Sequence, residues 1–133
     1  METDNLSIRN YEEEYKYSEI FRQIEHYFEK EKPYLQANFK IGKMAHDLNI
    51  NHSYLSKAIR INGNVNFNDY VNRARVEFAK KMIKKNENKY TLEYIYLMSG
   101  FKSQPIFNTA FKAQEGVTPS EYMKSALQGS SPK

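Results

Sequence analysis

Ser53, Ser56, Lys57 and Arg60 fall at intervals of three, one and three residues, which puts them on one stripe of an α-helix. Gln104, Asn108, Thr109 and Lys112 form a second stripe of the same kind further along the chain. Arg and Lys donate well to guanine O6 and N7, Asn and Gln pair with adenine N6 and N7, and Ser and Thr reach either kind of edge. That is chemistry for reading a duplex through its major groove. A solvated helix face looks the same when taken singly, so the elements carrying the stripes decide between the two readings.

Those elements are written twice. Ile41, Met44, Ala45 and Ile50 recur 51 residues on as Leu92, Ile95, Tyr96 and Phe101. Leu55, Ile59 and Tyr70 recur 52 residues on as Phe107, Phe111 and Tyr122, so one residue is inserted between the blocks. A register kept on both sides of an insertion describes two copies of a short helix, a stretchable turn and a second helix. Each copy reads as a helix-turn-helix, which needs a small residue where its helices cross (Ala45) and a residue tolerant of left-handed backbone in the turn (Asn49, Gly100). Two such units in register point to DNA.

Along the chain, residues 1–16 carry Glu12, Glu13 and Glu14 and little periodicity, and read as a flexible arm or linker stub. Ile20, Ile24, Tyr27 and Phe28 mark the apolar face of a helix over residues 17–30, which Pro33 ends by biasing Lys32 away from α geometry. The first unit's helices run over about 41–48 and to about 61, with Asn51 as the second helix's N-cap. Asn62, Gly63 and Asn64 stop it.

Val71, Arg75, Val76, Ala79, Met82 and Ile83 give the next helix, about residues 68–84, a broad inward face, and its roughly 17 residues span about 25 Å. Two recognition helices carried on such a spacer could sit about 34 Å apart, one duplex turn, without dimerisation. A polar loop follows at 86–89. Thr91 and Ser103 are N-caps in the second unit, with Pro105 in the first turn of its second helix. Ile106, Phe107, Ala110 and Phe111 read as that helix's buried face. Gly116 ends it, a last helix covers 121–127, and the end of the chain (128–133) reads as a disordered tail.

Charge is placed unevenly. Residues 1–40 hold nine acidic and six basic side chains, whereas residues 41–133 hold seven acidic and fourteen basic, so the positive field lies on the duplicated part. The chain has no Cys, which removes disulfides, thiolate metal sites and Cys nucleophiles and fits a reducing compartment. No apolar run approaches the roughly 20 residues that span a bilayer, and the acidic start is unlike a signal peptide, so a soluble cytoplasmic protein without membrane contact is expected. His26, His46 and His52 are dispersed, no carboxylate pair has catalytic spacing, and the five Gly are scattered rather than gathered in a phosphate loop. An enzyme, a metal and a cofactor are therefore not expected.

The segment Ser99-Gly-Phe-Lys-Ser-Gln-Pro-Ile-Phe-Asn-Thr-Ala-Phe-Lys-Ala-Gln-Glu-Gly-Val-Thr-Pro-Ser-Glu-Tyr122 closely resembles the C-terminal signature of AraC/XylS-type transcription regulators. Phe67, Tyr70, Val71, Asn72, Arg75, Val76 and Ala79 resemble that family's linker-helix pattern, and Tyr54-Leu55-Ser56 sits where its first recognition helix begins. The resemblance covers about residues 35–125. It implies an all-α fold of about seven helices, with two helix-turn-helix lobes (17–66 and 86–127) joined by a linker helix (67–85). It also implies DNA contacts from Ser53, Ser56, Lys57 and Arg60 in the first lobe, and from Gln104, Asn108, Thr109 and Lys112 in the second. Tyr54 and Ser103, at the helix starts, are candidates beside them, and His52, near the first recognition helix's N-terminus, reads as a phosphate contact.

Double-stranded DNA and RNA polymerase are the implied partners, with an upstream sensor domain in a longer chain, of which this would be the output domain. Three positions depart from the family pattern: Tyr96 where a small residue is usual, Lys40 where a Ser or Thr cap is common, and Thr109 where Arg is frequent. They imply a second helix pair that is tilted or has a neighbour displaced, a soft first helix start, and a first lobe that dominates specificity. The rival reading is a helical protein-interaction module that keeps the fold without DNA affinity.

Overall fold

The computed structural model describes residues 2–85 and 89–128, with side chains from residue 7 onward. Among these residues there are seven α-helices and no strand: α1 (Glu2–Glu31), α2 (Ile41–Leu48), α3 (His52–Gly63), α4 (Phe67–Lys85), α5 (Leu92–Met98), α6 (Gln104–Glu115) and α7 (Pro119–Leu127). One turn of 3-10 helix, Pro33–Leu35, lies between α1 and α2. The all-α class and the helix count agree with the sequence reading. Residues 86–88 of the expected polar loop and 129–133 of the expected tail lie outside the described residues.

The chain forms two compact units, Met1–Lys32 with Lys40–Tyr70 and Pro33–Phe39 with Val71–Lys133. In the first, α1 and α2 both pack on α3. The face read from periodicity is the buried one: Ile20, Ile24, Tyr27 and Phe28, joined by Tyr17, bury from α1, Met44 from α2, and Leu55, Ala58 and Ile59 from α3. Tyr70 closes the cluster edge-on to Phe28 at 4.8 Å and to Phe21 at 5.8 Å between ring centres. In the second unit Val76, Ala79, Ile83, Ile95, Phe101, Phe107, Phe111 and Tyr122 form one core, with Tyr96, Met82 and Met123 against its edge.

Three expectations are corrected here. Residues 1–16 are not an irregular arm, since α1 starts at Glu2 and runs 30 residues. Residues 7–16 are exposed throughout, so no apolar stripe announces this part of the helix. Arg9, Glu12, Glu13, Glu14 and Lys16 are the good helix formers in it, with Glu12 and Lys16 at an i,i+4 spacing. The linker helix is not a separate spacer either: Phe67–Tyr70 belongs to the first unit, and Val71 onward supplies the second unit's core. Residues 33–39, placed with the first lobe by sequence, belong to the second.

Arg75 explains the last of these. Its Nε donates to the Tyr34 carbonyl at 2.7 Å and its Nη2 to the Gln36 carbonyl at 2.9 Å, tying this segment to α4. The guanidinium stands 5.9 Å from the Phe101 ring centre, and burial lowers its pKa. Lys80 bridges Glu77 on its own helix and Glu115 at the end of α6, each at 3.1 Å. Gln114 adds a 2.8 Å hydrogen bond to Glu77.

Candidate nucleic-acid interface

The starts and turns of the two helix-turn-helix units follow from a few polar residues. Lys40 offers α2 no side-chain cap, as expected from its type. Asn49 takes left-handed backbone (φ 54°), and its N–H reaches the Ala45 and His46 carbonyls, closing α2. Asn51 then caps α3 by accepting from the Ser53 N–H at 2.9 Å. In the second unit Thr91 caps α5 through the Tyr94 N–H, Gly100 turns at φ 95°, and Ser103 caps α6 through the Ile106 N–H. A Thr118–Glu121 capping box starts α7, and hydrogen bonds from Thr118 hold the Glu121 carboxyl below its ordinary pKa. The two units are thus built alike: a helix, a left-handed turn residue, a capped second helix.

Tyr96 packs at the edge of the second unit's core. Its ring lies 5.6 Å from that of Phe107, partly buried at the core's edge, and α5 still packs on α6. Ser99, buried in the same turn, donates from Oγ to the Ile95 carbonyl at 2.7 Å, so its hydroxyl is satisfied within the helix.

The first-unit candidates lie on α3. His52, Ser53 and Arg60 are exposed, whereas Ser56 and Lys57 are half-buried. Ser53 Oγ donates to Asn51 Oδ1 at 2.8 Å, which leaves its oxygen free to accept. Tyr54 is 40% exposed, but its ring meets Tyr17 at 6.3 Å and lies under the Lys16 ammonium at 3.9 Å. Lys57 Nζ lies 5.0 Å from the Tyr17 ring centre. Helix α1 therefore engages the flank of α3 that carries Tyr54 and Lys57, and Lys16 joins the positive rim beside it. The sequence reading missed Lys16 and Tyr17, because nothing local marks a helix that crosses another.

The second-unit candidates lie on α6. Gln104, Asn108, Thr109 and Lys112 are exposed and Ser103 is half-buried, its hydroxyl engaged in the cap. Ile106, read as part of the buried face, is 48% exposed. Phe107 and Phe111 define the inward direction, and a residue one step before Phe107 is rotated about 100° from it. Pro105 and Ala113 are exposed beside Thr109.

No group of three or more His, Cys, Asp or Glu that could hold a metal ion occurs among the described residues. No helix there is long and apolar enough to cross a membrane.

A helical chain of two helix-turn-helix units, each presenting the outer face of its second helix, is the architecture that the fold defines. The family model described as a helix-turn-helix domain matches residues 44–125, and the chain belongs to this AraC-type helix-turn-helix family. Among curated proteins it is 32% identical over 96 residues to the raffinose operon transcriptional regulatory protein RafR of Pediococcus pentosaceus, covering 69% of this chain and 34% of that protein. It is 30% identical over 89 residues to a TCP pilus virulence regulatory protein of Vibrio cholerae, covering 67% of this chain and 31% of that one. The chain thus spans about a third of the length of these relatives.

Two solved structures share the fold. The C-terminal domain of AraT, a response regulator from Geobacillus stearothermophilus, superposes with a TM-score of 0.69 at 26% identity, over 80% of this chain and 84% of that one. The C-terminal domain of the two-component response regulator yesN from Fusobacterium nucleatum gives 0.60 at 27% identity, over 70% and 88%.

Proposed function

We propose that this chain binds double-stranded DNA sequence-specifically in transcription regulation, with α3 and α6 as recognition helices in two successive major grooves. The observation that carries the reading is the duplication itself: two exposed helices, each capped at its N-terminus and each preceded by a left-handed turn. The family supports it, since one relative is named a transcriptional regulatory protein and another a virulence regulatory protein. The concentration of basic residues after residue 40 supports it too.

In the first unit Ser53 and Arg60 read base edges, Arg60 also holding the adjoining phosphate, His52 and Ser56 approach the backbone, and Lys57 and Tyr54 are positioned by α1. In the second, Gln104, Asn108, Thr109 and Lys112 face the groove beside Ser103. The first unit supplies most of the polar readout. In a longer chain this segment is the cytoplasmic output domain of a sensor, and RNA polymerase is its partner at the promoter.

Fluorescence anisotropy on a selected duplex of about 25–30 base pairs tests this, since phosphate contacts release counterions and log K should fall linearly with log salt. A protein-interaction module would show no enrichment of duplex sequences and no salt slope.

A further inference from the structure

Ile106 is the one large apolar side chain that α6 leaves in water, at 48% exposure in the first turn of the helix. The core does not account for it, because Phe107 and Phe111 fill the inward face and are almost fully buried. The repeat register shows what stands around it. At the offset of 52 residues that relates Leu55 to Phe107, Ser53 corresponds to Pro105, Tyr54 to Ile106, Lys57 to Thr109 and Arg60 to Lys112.

Two donors of the first unit, Ser53 and Lys57, are thus replaced in the second by a ring of methylenes and a methyl-bearing Thr. Pro105, Ile106, Thr109 and Ala113 are all exposed, and Ile106 and Thr109 are neighbours at i,i+3. The first turn of a recognition helix is the part that approaches base edges. In the major groove the only apolar group that a base presents is the thymine C5-methyl, and apolar side chains and Thr methyls recognise it.

We propose that Ile106, with Thr109 beside it, is a specificity residue that reads thymine methyl groups, so that the half-site under α6 is selected by methyl contact more than by hydrogen bonds. This rests on the DNA-binding reading above. The division of labour is chemical: α3 offers hydroxyls and a guanidinium, and α6 offers a methyl-lined surface edged by Gln104, Asn108 and Lys112.

Deoxyuridine tests it, because it pairs as thymine does and lacks only the C5-methyl. In the selected duplex, replacing thymines of the α6 half-site by deoxyuridine should weaken binding about fourfold per methyl contacted, the worth of one buried methylene-sized group. The Ile106→Ala chain should bind thymine and deoxyuridine duplexes alike in that half-site, with an unchanged helical circular-dichroism spectrum because the side chain lies outside the core. Equal binding of both duplexes by the unsubstituted chain, with its salt slope and α3 half-site preference intact, would overturn the methyl readout alone. Absence of salt-dependent binding to any duplex would overturn the DNA reading and this inference with it.

Discussion

The Lys57 ammonium rests 5.0 Å from the centre of the Tyr17 ring, across the packing of α3 on α1. A cation held over an aromatic face gains about 0.5–1 kcal/mol at an exposed site, enough to bias where a flexible side chain spends its time. In DNA binding, Lys57 is then a poorer phosphate contact than its place on the helix suggests. Arg60, exposed and without such a ring, is the better one.

Removing a phosphate contact lowers the slope of log K against log salt by about one. Arg60→Ala should do this in anisotropy titrations, while Lys57→Ala should change the slope by less than half as much. Equal slope changes would show that Tyr17 does not hold Lys57. Tyr17→Leu should raise the share of Lys57 in the slope, as the difference between that variant and Tyr17→Leu/Lys57→Ala.

Of the described glycines in the second unit, Gly100 is the more constrained. Its φ is +95°, and an added Cβ would stand 2.2 Å from the Tyr34 carbonyl oxygen and 2.9 Å from Arg75 Nε. Backbone strain and overpacking each cost about 1–3 kcal/mol, so Gly100→Ala should destabilise by about 3 kcal/mol or more. Gly116, at φ +79° with nothing within 4 Å of its added Cβ, meets only the backbone cost, about 1–2 kcal/mol for Gly116→Ala. Urea denaturation of both variants measures the contrast, and similar midpoints would contradict it.

Arg75 serves two carbonyls of the segment at residues 33–39 with a fork that a lysine does not have. Arg75→Met should cost about 1–3 kcal/mol, the penalty of leaving those acceptors unpaired. Arg75→Lys should recover little of it. Thermal melts of the three proteins decide, and a full rescue by Lys would show that charge alone matters there.

Alkali should unfold the first unit cooperatively. Burial, helped by the charge of Glu25, pushes the Tyr70 hydroxyl up to about 12. Burial and a 2.6 Å hydrogen bond to Asp47 raise Tyr27, and burial raises Tyr34 in the second unit. A group whose folded pKa is raised contributes stability that is complete below the unfolded value, about 10 for tyrosine, and is lost as pH rises through the folded value. Helical circular dichroism and the part of the phenolate absorbance that belongs to Tyr27 and Tyr70 should therefore change together above about pH 10. Asp47 works in the opposite direction: the Tyr27 hydroxyl and Lys43 lower its pKa, and that support disappears as pH falls through the folded value. Ionisation of Tyr27 and Tyr70 with helicity unchanged would contradict their assignment to a closed core.

What was legible in the sequence was local. Asn51, Thr91 and Ser103 are polar side chains at helix starts, Asn49 and Gly100 are the residues that left-handed turns favour, and each stands in that role. The buried face of α1 between Ile20 and Phe28 followed from period alone. What escaped was either without a pattern or long-range. The first half of α1 has no buried stripe to announce it, and the tie of Tyr34 and Gln36 to Arg75 joins residues about 40 positions apart. Ile106 was misread because apolar residues next to Phe107 look like core until the axis from Phe107 to Phe111 fixes the inward direction. The placement of the candidate DNA contacts on α3 and α6 followed from the repeat, whereas the hold of α1 on Tyr54 and Lys57 did not.

The most direct test is a hydroxyl-radical footprint of one chain on a selected duplex, read with the binding stoichiometry. Two protected windows about one helical turn apart on the same face, appearing together at one chain per duplex, are the expected result. A single window, or a second one that appears only when a second chain binds, would contradict recognition by α3 and α6 of the same molecule.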